Sequence, residues 1–343
     1  MTFSLSRLEH PIVQAPMGGG PSTPALAAAV SEAGGLGFLA AGYLSPDAVR
    51  EDLTALHALT GRPFGVNLFA PPGEPADPGA VQRYAATLCD EGELGEPRWD
   101  DDRYAEKLAL LAQERVPVVS VTFGCPAPEA VADLHAAGAA VWVTVTTAAE
   151  ALEAARAGAD ALVVQGVEAG GHRGSFDDAA PGQIGLLALL ALVGEAVELP
   201  LVAAGGIATG AGVAAVLAAG ASAAQLGTAF MLAEEAATVP AHREALRSDS
   251  ATALTRAFTG RTARGLVNRF LSEHDADAPS AYPEVAHLTG PLRAQARERG
   301  DADGLNLWAG QAHTLAREAP AAEIVHRLAA EAREALADAA RRL

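Results

Sequence analysis

One histidine of the chain stands among four glycines, in the run Gln165-Gly166-Val167-Glu168-Ala169-Gly170-Gly171-His172-Arg173-Gly174. Glycines let a backbone approach a ligand closely, and an imidazole has a pKa suited to proton transfer near neutrality. An isolated loop histidine is usually just solvated. The glycine setting, directly after the apolar run Ala161–Gln165, turns the balance toward chemistry at His172, with Glu168 and Arg173 as charged neighbours. Two further glycine-bearing runs, Ala203-Ala204-Gly205-Gly206-Ile207 and Gln225-Leu226-Gly227-Thr228, also end apolar segments. Backbone N–H groups freed there, beside a helix N-terminus, favour a phosphate without any lysine. Either run alone reads as a tight turn; together on adjacent strands they favour phosphate binding.

Other polar residues at strand ends carry less. Asn67 offers a donor and an acceptor, which suits the N/O edge of a heterocycle and equally suits a strand-end cap. Gln14 reads equally well as a group satisfying backbone in a polar turn. Cys125 has no basic neighbour to lower its pKa and reads as an inert thiol, and Cys89 as helix filling. No His/Cys/carboxylate set has metal-ligand spacing, so no metal is expected. No Gly-x-Gly-x-x-Gly opens a helix after a first strand, which argues against a Rossmann dinucleotide site.

Positioning these residues requires a repeating scaffold, and the chain supplies one. Candidate strands are Ile12–Ala15, Gly37–Ala40, Phe64–Phe69, Val118–Thr122, Val141–Val145, Ala161–Gln165, Leu201–Ala204 and Ala224–Gly227. Helical segments alternate with them: Thr23–Ala33, Pro46–Leu59, Tyr104–Gln113, Glu129–Ala137, Ala148–Ala157, Gln183–Ala196 and Gly210–Ala219. The strands are continuous apolar runs, as a parallel sheet covered on both faces requires. Helices ending in Ala33-Gly34, Ala137-Gly138, Ala157-Gly158 and Ala219-Gly220 supply left-handed C-caps and short turns. The pattern is α/β and predicts a TIM (β/α)8 barrel, with an open doubly wound sheet as the weaker alternative. The expected division is a barrel core over 1–235, a mainly helical extension over 236–320 that completes the active-site face, and a closing amphipathic helix over 321–343 packed on the barrel. Pro71–Asp102, rich in Pro, Gly and acids, is expected to be a long loop over the same face.

Composition narrows the function. The 343 residues carry a formal charge of −18, which excludes a nucleic-acid or anionic-membrane surface built on cationic stripes. A small anionic ligand stays compatible where backbone N–H groups and a few cations offset the field. Two cysteines form no disulfide framework. Residues 1–10 lack the basic and apolar regions of a signal peptide, and the most apolar run, Ile184–Val193, is too short to cross a bilayer. A cytoplasmic enzyme is the expectation.

The same residues carry a family resemblance. Pro11-Ile12-Val13-Gln14-Ala15-Pro16-Met17-Gly18-Gly19 resembles the opening of the nitronate monooxygenases, formerly called 2-nitropropane dioxygenases. Phe64–Phe69, Gln165–Gly174, Ala203–Ile207 and Gln225–Phe230 match later blocks in order, followed by Phe258–Arg261, Arg264–Phe270, Tyr282-Pro283, Leu288–Arg293 and Leu307–Gln311. The resemblance implies a TIM barrel with one noncovalent FMN held by Asn67, Gln165, Gly170, Gly205, Gln225, Leu226, Gly227 and Thr228, with Met17 and Gly206 lining the flavin. It implies oxidation of alkyl nitronates, such as propionate 3-nitronate, by O2 through a flavin semiquinone. It makes His172 the active-site histidine, removing an α-proton or holding the nitronate anion. On physical grounds an imidazolium there, with Arg173 or glycine N–H groups nearby, could balance the anion's charge. The segment Trp308–Gln311 is expected to close over the pocket, detoxification of nitro compounds is the expected purpose, and homo-oligomerisation is left open. Flavin-dependent enoyl-acyl-carrier reductases and NADH:quinone reductases share the glycine–histidine loop, so an NAD(P)H-dependent flavin reductase is the alternative. A non-catalytic flavin-binding protein is the third reading.

Overall fold

Each short apolar run of this chain can be buried only if helices cover it on one side and other strands fill the other, and that requirement shapes the fold. The structure, a computed structural model, describes residues 3–342. Residues 1, 2 and 343, the ends of the expected first and last segments, lie outside the described residues. In chain order the elements are β1 (Ile12–Gln14), α1 (Pro24–Glu32), β2 (Phe38–Ala40), α2 (Pro46–Leu59), β3 (Gly65–Phe69), α3 (Pro78–Thr87), α4 (Tyr104–Gln113), β4 (Val118–Thr122), α5 (Pro128–Ala137), β5 (Ala140–Val145), α6 (Ala148–Ala157) and β6 (Ala161–Gln165). There follow β7 (Gly171–His172), α7 (Leu186–Ala196), β8 (Leu201–Ala204), α8 (Gly210–Ala218), β9 (Ala223–Leu226), α9 (Pro240–Leu246), β10 (Thr252–Thr255), β11 (Ala263–Leu266), α10 (Arg269–His274), α11 (Glu284–Leu288), α12 (Gly290–Arg299) and α13 (Ala321–Ala340).

Helix boundaries follow local chemistry. Thr23 and Ser45 cap α1 and α2 by accepting from the N–H of Leu26 and Ala48, and Thr147 with Glu150 forms a capping box on α6. The expected glycines do end or follow their helices in the left-handed region, with φ of +85° at Gly34, +94° at Gly138, +97° at Gly158 and +98° at Gly220. Helix α7 starts at Leu186 and not at Gln183. The Glu168 carboxylate, across the glycine loop, accepts from the Leu186 N–H at 3.0 and 3.1 Å and fixes the first turn there.

The eight barrel strands pair in parallel in the order β1-β9-β8-β6-β5-β4-β3-β2. Two backbone bonds then close the circle between the outer members: Leu36 N–H to Ile12 O at 3.0 Å and Gln14 N–H to Leu36 O at 2.9 Å. The fully buried Gln14 side chain finishes this seam, accepting from the Phe38 N–H at 2.9 Å and donating to Ser22 Oγ at 3.0 Å. Its role is the structural one. Inside the barrel pack Val13, Phe38, Val118, Trp142, Val163 and Val202, with Phe3 plugging one end against Trp142. Helix α13 covers the outside by lying across α8, and its Glu331 accepts from the Gly210 N–H at 3.0 Å.

Three expectations need correction. The stretch 240–320, read as helical, also holds β10 and β11, which join β7 in a three-stranded antiparallel sheet of order β10-β11-β7. Each is four residues long or shorter, and Thr-Ala-Leu-Thr and Ala-Arg-Gly-Leu show no period-two contrast to betray a strand. The Pro71–Asp102 loop contains α3, started by Asp77, whose carboxylate accepts from Gly79 and Ala80 N–H. Cys89 is exposed in the turn after α3, not packed in a helix. Among the described residues no helix is long and apolar enough to cross a membrane.

Replacing Gln14 by Met keeps the volume but leaves the buried Phe38 N–H without an acceptor. Urea denaturation should then show a loss of about 1–3 kcal/mol; an unchanged midpoint would mean that the seam does not depend on this side chain.

Candidate active site

A cavity of about 980 Å³ lies at the C-terminal ends of the barrel strands. That is the upper end of the roughly 300–1,000 Å³ typical of ligand sites, room for a cofactor and a small substrate together. His172, Met17, Asn67, Gln165, Gly170, Gly205, Gly206, Gln225, Leu226, Gly227 and Thr228 all line it.

Their polar atoms are not equally free. The Asn67 amide nitrogen donates to Ser120 O at 3.2 Å, Ser120 Oγ at 2.9 Å and Thr122 Oγ1 at 3.0 Å. A carbonyl can only accept, so Ser120 O fixes the amide orientation and leaves Asn67 Oδ1 as an acceptor facing the cavity. Gln225 is buried, yet among the described residues its side-chain amide has no hydrogen-bond partner. Gln165 is already engaged: Nε2 donates to His172 O at 3.0 Å, while Oε1 accepts from Arg173 at 2.9 Å and from Gly174 N–H at 2.8 Å. Leu226 meets the cavity beside its backbone bond to Ala15 N–H, its side chain sitting in the core.

The end of the cavity at β8 and β9 is built from backbone. Gly205 and Gly206 have φ of +122° and +66°, and a Cβ on Gly206 would lie 3.0 Å from Glu168 Cβ. Among the described residues the N–H groups of Gly206, Gly227 and Thr228 have no acceptor. Thr228 Oγ1 accepts from Gly310 N–H at 3.0 Å, which leaves its hydroxyl proton to donate. Such a cluster of open donors suits an anion.

At the other end stands His172. Its Nε2 is 2.8 Å from Thr259 Oγ1, and Nδ1 has no protein partner and opens on the cavity. Phe123, Tyr282 and Trp308 surround the ring with centroids at 5.6, 6.0 and 5.4 Å. Burial, and then the nearby Arg261 charge, push its pKa down to about 3, so the imidazole is neutral. The Arg261 guanidinium lies 4.0 Å over the Phe123 ring. Arg173 is corrected: it is buried beneath the loop and donates to Gly166 O at 2.7 Å and Gly182 O at 2.8 Å, a brace and not a ligand group.

The two acids of the long loop that line the cavity are occupied. Asp100 pairs with His287 at 2.6 Å. Asp102 pairs at 2.8 Å with Lys107, the only lysine in the chain and fully buried, and also accepts from Tyr43 N–H at 3.0 Å. Burial raises the Cys125 thiol to about 11, in line with an inert group. Glu91, Glu273 and His274 come together on the surface, but Arg269 bridges both carboxylates at 2.6 Å.

Several lining residues were not singled out from sequence: Tyr43, Phe123, Thr259, His242 and Arg293. Tyr43 follows β2 directly, so the strand-end rule could have found it. Thr259 and Arg293 lay inside family-like blocks without a role, and His242 had no signal at all.

The family model described as nitronate monooxygenase matches residues 2–331. A nitronate monooxygenase of Pseudomonas aeruginosa is 44% identical, covering 97% of this chain and 100% of that one. Among solved structures, a nitroalkane oxidase from Streptomyces ansochromogenes is 54% identical with a TM-score of 0.94, covering 98% of this chain and 100% of that one. FabK from Thermotoga maritima is 29% identical with a TM-score of 0.79, covering 99% and 97%.

Two outcomes test this geometry. A Cβ on Gly170 would fall 2.5 Å from Ala309 C and Gly310 N, so Gly170→Ala should destabilise by about 1–3 kcal/mol and expose residues 305–312 to limited proteolysis; native-like protection would contradict the close approach. Burial also lowers His242, to about 4. Both histidines are then neutral when folded and ordinary when unfolded, so stability present above about pH 6.5 is lost as pH falls toward 3–4. The double variant His172→Gln, His242→Gln should show a flatter acid limb in thermal melts, by at most about 1.4 kcal/mol per pH unit for each histidine; an unaltered limb would show that neither ring is held neutral.

Proposed function

The chain belongs to the nitronate monooxygenase family, and from that premise we propose that it oxidises alkyl nitronates, such as propionate 3-nitronate, with O2 and a bound FMN, His172 facing the substrate. It is an oxidoreductase of a flavin-dependent class. The observation that carries the finer reading is the polarity of the cavity, open amides at one end and a neutral imidazole with a free Nδ1 at the other.

The residues fit FMN. The open N–H groups of Gly206, Gly227 and Thr228 would hold its phosphate, Asn67 Oδ1 would accept from a ring N–H, and the unpartnered Gln225 amide would meet the ring's polar edge. Met17, Gly170 and Gly205 would line it, with Leu226 contributing backbone and Gln165 acting through the loop it holds. The chemistry that FMN would supply when bound is one-electron redox linking nitronate oxidation to O2. The protein's own task is to place the substrate and balance its charge. Neutral His172 can donate to or accept from the substrate at Nδ1, according to tautomer. An imidazole held neutral this firmly is a weak base, so a preformed nitronate is the better substrate and a neutral nitroalkane the poorer one. Residues 236–320 would complete the site, since Thr259, Tyr282, Arg293 and Trp308 all line the cavity.

The similarity to FabK keeps an NAD(P)H-dependent flavin reductase as the second reading. Anaerobic absorbance titrations separate the two. Propionate 3-nitronate should change the flavin bands while NADH leaves them alone. Bleaching by NADH with nitronate inert would move the chain to the reductase reading, and a colourless protein that takes up no added FMN would end both. His172→Asn should retain FMN and lose at least tenfold in kcat/KM; full activity would remove His172 from the chemistry.

A further inference from the structure

Arg293 is a guanidinium that lines the cavity without an ion-pair partner among the described residues. It projects from α12, and two of its nitrogens are pinned by neutral groups: Nε donates to Thr289 Oγ1 at 3.2 Å and Nη2 to Ala286 O at 2.7 Å. Nη1 has no partner among the described residues, and the residue lines the cavity. Among the described residues no carboxylate is within ion-pair distance of it, although Asp100, Asp102 and Glu298 line the same cavity, and burial lowers its pKa. Of the other arginines near this face, two are paired with acids and one bonds a carbonyl. Arg98 sits 3.7 Å from Asp100, Arg103 is bonded to Glu106, and Arg297 reaches Gly19 O at 3.2 Å.

A chain of net charge −18 has carboxylates to spare, so an enclosed cation left unpaired marks a place for an anion that comes from outside. Arg293 lines the cavity together with Tyr282, whose ring stands 6.0 Å from that of His172. The open amides that suit a phosphate lie elsewhere, at the ends of β8 and β9. Tyr43 and Tyr282 line the same cavity, and their hydroxyls offer further donors to it. The pinned Nε and Nη2 hold the guanidinium plane, so Nη1 presents a fixed donor rather than a swinging one.

We propose that Arg293 is the specificity residue of the substrate end, receiving through Nη1 a carboxylate on the tail of the nitronate and so favouring carboxylated nitronates over plain alkyl ones. This rests on the nitronate reading above, and the test separates the two. Initial rates of O2 consumption with propionate 3-nitronate and with propyl 1-nitronate give a preference, the ratio of the two kcat/KM values. Arg293→Met should reduce that ratio by about 100-fold, the size expected when one partner of an enclosed charge pair is removed, and mostly through KM. Arg293→Lys should recover part of it. A general folding defect would lower both rates and leave the ratio standing, which would overturn the proposal, as would a ratio near one in the unaltered protein. Calorimetric titration with 3-nitropropionate, which carries the carboxylate but is not a nitronate, supplies the second readout. Binding that vanishes in Arg293→Met, in a protein that turns over neither nitronate, would keep the carboxylate site and discard the nitronate reading. Turnover of both nitronates with 3-nitropropionate bound equally by both proteins would keep the reading and discard the site.

Discussion

The site depends on two backbones coming closer than any side chain would allow. At Gly170 the glycine loop meets Ala309 and Gly310 with no room for a methyl group. Around that point Gly310 N–H bonds to Thr228 Oγ1, Gln311 N–H to Glu168 O at 3.0 Å, and β7 pairs with β11. The loop that carries His172 is thereby part of two bodies, the barrel through Gln165 and the extension through Thr259. Its ring position is set by elements nearly ninety residues apart in sequence, as the 87-residue separation of His172 and Thr259 records. Arg173 stiffens the loop from beneath. The result is a catalytic-type side chain held by main chain on both sides, which is how rigid placement is usually obtained.

Electrostatics follow from the same enclosure. The net charge is strongly negative, yet two of the three acids lining the cavity, Asp100 and Asp102, are engaged by His287, Lys107 and the Tyr43 amide. What remains facing inward is a set of open N–H groups at one end and uncompensated guanidinium at the other. A protein can be acidic overall and still present an interior suited to anions, because the field inside a narrow, poorly solvated space is decided by its nearest few groups.

Much of this was legible in the sequence. Continuous apolar runs, glycine C-caps and alternating helices lead to a closed parallel barrel, and the glycine–histidine loop and the strand-end glycines lead to one cavity. The readings failed where local pattern is silent. Two four-residue strands need a partner from elsewhere in the chain, and Thr-Ala-Leu-Thr gives no sign of having one. Arg173, by its neighbour His172, looked like an active-site cation; only its burial among carbonyl oxygens reveals a brace. The lowering of the His172 pKa was not legible for a related reason, since burial and the charge of Arg261 are properties of the assembled site. Arg293 lay in a block whose pattern was visible and whose unpaired charge was not.

The sealing of Lys107 reaches beyond the site. With the chain's sole lysine enclosed between Asp102 and Ala41 O at 2.9 Å, every exposed side-chain cation among the described residues other than histidine is a guanidinium. Guanidinium does not titrate in any ordinary buffer. On acidification from neutral pH the outer surface therefore takes up protons only at carboxylates and imidazoles. It also offers no side-chain amine to acylating or glycating reagents, so chemistry that ages lysine-rich enzymes has no exposed lysine on which to act here.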